Sequence, residues 1–197
     1  MNFLPMLALA AAAAAPIPTT NATLTGSRLA DPALLAALRG TELGSRLGAV
    51  DLLADRRDPA TIPFLAALAL REDEPAVLRG AAAAALGATG HPIAGRYLIA
   101  MLSDASIQVR CAAAESLAGI RGPEVVEALQ RAAMTDPSRE ARAAAAQALG
   151  ALGTPVAASA LEVVTTDTDD AVRLVTERGL ALTPLRDPRA HALPDER

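Results

Sequence analysis

Residues 76–92 read AVLRGAAAAALGATGHP, residues 108–123 read QVRCAAAESLAGIRGP, and residues 140–155 read EARAAAAQALGALGTP. The three stretches share an arginine, a leucine seven residues later and a proline thirteen residues later. The pattern extends both ways. Arg46, Arg79, Arg110, Arg142 and Arg173 are each followed at seven by Leu53, Leu86, Leu117, Leu149 and Leu180. Pro59, Pro92, Pro123 and Pro155 follow the first four arginines at thirteen, and Asp73, Asp104, Asp136 and Asp167 precede the last four at six. Subtraction gives arginine-to-arginine steps of 33, 31, 32 and 31 residues. A helical period of about 30–45 residues marks an all-α solenoid, in which no single repeat buries its apolar face alone.

Composition agrees. Roughly a quarter of the 197 residues are alanine, the best helix former and a side chain that lets helices approach closely. Aromatics make up 2%, with no Trp, and the basic residues are all arginine. Without lysine there is no Schiff-base chemistry and no phosphate-loop lysine. A net charge of −4 and a pI near 5.2 argue against a nucleic-acid partner, which needs a basic patch. Cys111 is the sole cysteine, so no disulfide forms within the chain.

Residues 1–15, MNFLPMLALAAAAAA, form an uncharged apolar run shorter than the ~20 residues of a bilayer span. Small residues follow, and residues 1–22 are expected to be a signal peptide, although no Lys or Arg precedes the run. The expected location is periplasmic or secreted, the alternative cytoplasmic, with no membrane insertion of the mature chain. Residues 23–30 are expected to be a linker, residues 31–184 a solenoid of about four to five repeats, and residues 185–197 a disordered tail. Asp31-Pro32 opens a helix to Arg39 that Gly40 closes, expected to serve as half a repeat capping the N-terminal end. Each repeat is expected to place its arginine helix first, then a glycine turn, then a second helix opened by proline. Gly87 with Gly90, Gly119 with Gly122, and Gly150 with Gly153 are expected to end the arginine helices. Asp170 to Leu182 forms the last arginine helix, which Gly179 is expected to interrupt.

At ~100° per residue, positions −1, +2, +3, +6 and +7 from each arginine share one side, such as Val109, Ala112, Ala113, Ser116 and Leu117. This side is expected to be core. Positions +1, +4, +5 and +8 lie opposite and are expected to form a smooth open face. Its candidate partner-binding residues are Ala83, Ala84, Cys111, Ala114, Glu115, Ala146, Gln147 and Arg178. The Asp and Arg six apart cannot pair along one helix. Each Asp is expected to cap its arginine helix, and each Arg to reach the Asp of a neighbouring repeat.

Together these features resemble HEAT repeats, and most closely the short form first described in phycobilin lyases. The resemblance covers roughly residues 42–182. It implies a right-handed superhelix of antiparallel helix pairs, with the arginine helices lining a concave, partner-binding surface. It maps the inter-repeat ladder onto Asp73, Asp104, Asp136 and Asp167 and onto Arg79, Arg110, Arg142 and Arg173.

The inventory of chemistry is short. His91 and His191 are the only histidines and lie far apart in sequence, so no metal site is expected. HEAT-repeat hydroxylases hold iron on His-Glu pairs, and no such pair occurs here. Glu115, one turn from Cys111, disfavours a thiolate nucleophile. Asp167, Asp169 and Asp170 lack the glycine and terminal glutamate of a calcium loop. Asn21-Ala22-Thr23 fits a glycosylation sequon. No catalytic residue, cofactor or metal is expected. The function expected is a non-catalytic scaffold binding an unidentified protein partner, the alternative a bilin-lyase-like subunit or chaperone of chromophore attachment.

Overall fold

The computed structural model describes residues 32–182, so the expected signal peptide, linker and tail, the Asp31 cap, the sequon and His191 lie outside the described residues. The described residues form ten α-helices and no strand. They are α1 (Pro32–Arg39), α2 (Leu43–Arg56), α3 (Ile62–Ala69, after a 3-10 turn Pro59–Thr61), α4 (Ala76–Ala88) and α5 (Pro92–Met101). After them come α6 (Ile107–Leu117), α7 (Pro123–Thr135), α8 (Arg139–Leu152), α9 (Pro155–Val164) and α10 (Asp170–Leu182). The even-numbered helices carry the arginines.

The helices pair in a different phase from the sequence expectation. α1 packs on α2, α3 on α4, α5 on α6 and α7 on α8, whereas α2 scarcely touches α3 and α6 scarcely touches α7; α4 also meets α5, and α9 packs on α8 as much as on α10. The unit is therefore a partner helix, an acidic turn and then the arginine helix. In this register Pro32–Arg39 opens a complete hairpin and is no half-repeat cap. The last hairpin, α9–α10, is also complete.

Local chemistry sets the boundaries. Prolines at the first turns of α5, α7 and α9 cost no hydrogen bond there, because those N–H groups have no partner inside the helix. The Thr154 hydroxyl accepts from Ala157 N at 3.2 Å, and Nδ1 of His91 accepts from Ile93 N at 3.2 Å. Gly90 (φ +62°) and Gly153 (φ +59°) end α4 and α8 in the left-handed region, where a side chain is strained. At the matching point after α2 the chain uses Arg57, at φ +48°.

Gly87 and Gly150 do not end helices, and Gly179 does not interrupt α10. They let adjacent arginine helices touch. A Cβ on Gly150 would stand 2.8 Å from Cα of Gly179, and one on Gly87 would stand 2.7 Å from Cβ of Ser116. The arginine helices thus form the tighter of two layers, since successive ones pack far more extensively than successive partner helices do. A stack with one tighter layer curves toward it, so the arginine helices line the inner side. Between the layers lies the core. Leu53, Leu86, Leu117 and Leu149 come from one side and Leu65, Leu98, Leu129 and Leu161 from the other, all at most 2% exposed. Each contributes about 1.5–3 kcal/mol by burial.

Candidate partner-binding face

The acid–arginine pairs fix how one hairpin sits on the next. Arg110 reaches forward to Asp136 with Nε and Nη2, at 2.7 and 2.9 Å, while its Nη1 donates back to the carbonyl of Asp104 at 2.9 Å. Arg142 repeats this, with Asp167 ahead at 2.7 and 3.2 Å and the carbonyl of Asp136 behind at 3.0 Å. Arg79 binds Asp104 at 3.2 and 2.7 Å and the Glu74 carbonyl at 2.5 Å. Each guanidinium therefore holds two successive turns in a planar, two-point geometry that lysine could not supply. The bond from Arg142 is the main reason the Asp167 carboxyl sits below its usual range.

The acids do not cap the arginine helices. The Asp104 carboxylate accepts from Ser106 N, and that of Asp136 from Ser138 N, both at 2.8 Å. Each forms a turn two residues ahead of the cap itself, which is Ser106, Ser138 or, for α10, Asp169. The first rung departs further. Arg46 binds Glu74 through Nη2 alone at 2.6 Å, while Asp73 faces solvent and pairs with Arg71. Asp73 is not part of the ladder.

The open face is narrower than an isolated helix would present. Ala83, Ala114 and Ala146, expected to be exposed, are 0–1% exposed. They stand at position +4, where the next arginine helix closes over them. Cys111 is half-buried, and burial, followed by the charge of Glu115, pushes its thiol up. Ala84, Glu115, Gln147 and Arg178, all at position +5, are exposed. Sequence reasoning missed their companions two turns earlier, Val77, Gln108, Glu140 and Ala171, which are also exposed. A spacing of seven residues on one ridge was the signal that could have found them.

These two rows form a low ridge along the inner layer, with half-buried Gly80, Cys111 and Ala143 between them in the middle repeats. Its charge is mainly acidic. Asp51, Glu115 and Glu140 are all exposed along it, with Arg178 near the C-terminal end. A hydrogen bond from the Ser138 hydroxyl is the main cause that holds the Glu140 carboxyl down at about 2, with Arg139 adding to it, so it is charged at neutral pH.

Two clefts of about 330 Å³ each open on the edge of the stack, between the C-terminal ends of α5 and α7 and of α7 and α9. Their charged walls include Asp104, Arg110, Asp136, Arg142 and Asp167, whose polar atoms are committed to the ladder. No group of three or more metal-binding side chains occurs among the described residues, and none of the described helices is long and apolar enough to cross a membrane.

Comparison with known proteins matches this architecture. A family model of HEAT repeats matches residues 95–181, and the PBS lyase HEAT-like repeat matches residues 78–104. No curated protein matches the chain. Among solved structures, the complex of CpcE and CpcF of phycocyanin lyase from Nostoc sp. is similar at a TM-score of 0.59 and 24% identity. That match covers 78% of this chain and 64% of the other, so this chain spans less than two thirds of the lyase chain it matches. Human deoxyhypusine hydroxylase is similar at a TM-score of 0.43 and 15% identity, covering 91% and 96% of the two chains. An engineered protein is similar at 0.48 and 22%, covering 90% and 88%. The repeat period and the arginine–aspartate ladder agree with both family matches: residues 95–181 match HEAT repeats, and residues 78–104 match the PBS lyase HEAT-like kind.

Proposed function

We propose that the chain is a non-catalytic protein-binding module whose inner arginine-helix ridge receives a basic segment of a partner protein. The observation that carries this reading is the ridge itself: small side chains admit close approach, and Glu115 and Glu140 stand exposed along it. Acidic charge of this kind speeds encounter with a basic partner and sets its register. The scarcity of aromatic side chains suits a transient interface without large anchor residues. The test is photo-crosslinking from position 84 in the cells that make the protein, followed by binding measurements with the captured protein. Glu115→Arg and Gln147→Arg should leave the helical signal and melting temperature unchanged and weaken binding about tenfold or more each. Normal binding by both variants would sink the inner-ridge reading.

A second reading has its own support in the PBS lyase HEAT-like match and the likeness to a phycocyanin lyase complex. In it the chain assists chromophore attachment as a bilin-lyase-like subunit. An absorbance titration with a free bilin separates the two, because the scaffold reading expects no spectral shift.

A further inference from the structure

The turn between α3 and α4 holds two adjacent acids, Asp73 and Glu74, whereas each later ladder acid has no acid beside it. Asp104, Asp136 and Asp167 stand six residues before their own arginines, between Ser103 and Ala105, Thr135 and Pro137, and Thr166 and Thr168. Each takes both ends of the latch. Its carboxylate meets the arginine of the preceding hairpin, and its carbonyl accepts Nη1 of the arginine in its own. At the first joint this register slips by one residue. Asp73 holds the place six before Arg79, yet Glu74 supplies both the carboxylate for Arg46, at 2.6 Å, and the carbonyl for Nη1 of Arg79, at 2.5 Å.

Asp73 lies close to the seat it does not occupy. Arg71 stands between the two acids: its Nε donates to Asp73 at 3.0 Å, and its Nη1 is 3.9 Å from Glu74. The bond from Arg71 is the main reason the Asp73 carboxyl sits below its usual range, and the charge of Arg46 adds to the lowering. Two acids and two arginines thus share one cluster, and a swap of acids between the arginines keeps two ion pairs. The turn has length to spare for it. Six residues, 70–75, separate α3 from α4, where five, three and five separate the later pairs.

Arg46 also has bonds to redistribute. It meets Glu74 with Nη2 alone and gives its Nε to the Leu38 carbonyl, in the last turn of α1, at 3.1 Å. The later arginines put both Nε and Nη2 on the shorter aspartate. We propose that the turn 70–75 is a two-seat latch, in which Asp73 and Glu74 exchange places on Arg46 while Arg71 holds the acid that is out. In the second seat Arg46 grips Asp73 with Nε and Nη2 and gives up the Leu38 carbonyl. The joint from α2 to α4 then tightens and α1 loosens, so the exchange resets how the first hairpin sits on the stack. This device does not depend on the inner-ridge reading.

The experiment is native-state hydrogen exchange on the full-length chain, read at the α2 amides of Val50 and Leu53. Asp73→Ala alone should change their protection by no more than about twofold, because that acid is out. Glu74→Ala should lower it about tenfold, since Asp73 takes the empty seat, where an unrescued buried pair would lose about a hundredfold or more. The double variant should lose about tenfold beyond the product of the two single losses. The structure of Glu74→Ala should show the Asp73 carboxylate on Arg46, and this readout stands even if the double variant fails to fold. Single losses that simply multiply in the double variant, or an Asp73 that stays with Arg71 when Glu74 is removed, overturn the proposal.

Discussion

The joint between α6 and α8 and the joint between α2 and α4 do the same work with different parts. In the first, Arg110 and Asp136 meet through two parallel hydrogen bonds, with side chains 10% and 5% exposed. In the second, Arg46 holds Glu74 by one bond, with side chains 15% and 8% exposed, and spends its Nε on the Leu38 carbonyl. The turn after α2 is also built on Arg57 in the left-handed region, where the turns after α4 and α8 use glycine. A short acid on a rigid turn gives planar pairing, while a longer acid on a neighbouring residue gives a single contact. Repeats with one consensus therefore need not be joined with equal strength.

Breaking the stronger joint should have the largest effect. Asp136→Ala leaves Arg110 buried without its acid and should cost about 3–5 kcal/mol in urea unfolding. Glu74→Ala should cost about half as much; equal costs would erase the distinction between the joints. Gly150→Ala forces a methyl against Gly179 and should cost about 1–3 kcal/mol. Gly48→Ala, where an added Cβ meets nothing within 4 Å, should instead stabilise α2 by up to about 1 kcal/mol. Arg57→Gly relieves left-handed strain and should stabilise by about 1 kcal/mol, which narrows the gap between the first turn and the others. The smallest effect is in acid. The Asp167 carboxyl is held below its ordinary value, so its contribution is complete above about pH 4 and fades as pH falls through the lowered value. Thermal melts in Asp167→Asn should accordingly fall less steeply between about pH 4 and pH 2 than in the parent chain.

The sequence made the period, the helix starts at Pro92, Pro123 and Pro155, the leucine core and the forward reach of the arginines legible, because each follows from neighbours along the chain. What it hid depends on neighbours across the stack. Ala83, Ala114 and Ala146 read as exposed on a helical wheel, which gives a helix one buried side. A stacked arginine helix is covered on three sides, and position +4 is sealed by the next repeat. Gly87, Gly150 and Gly179 read as terminators for the same reason, since a close approach between helices leaves no mark on either helix alone. The hairpin phase was ambiguous because arginine-first and partner-first units share one period, and contact alone separates them. On the exposed face of the arginine helices, the +5 row was legible and the −2 row was overlooked, although both follow from one helical angle.

Each interior guanidinium grips the carbonyl of one turn and the carboxylate of the next, so the ladder behaves as a chain of latches in series. Under tension along the solenoid, the latch with a single tooth yields before those with two. Pulled from its ends, this protein should shed α1 and α2 first and keep α4 to α8 stacked, which gives the rod a built-in order of release.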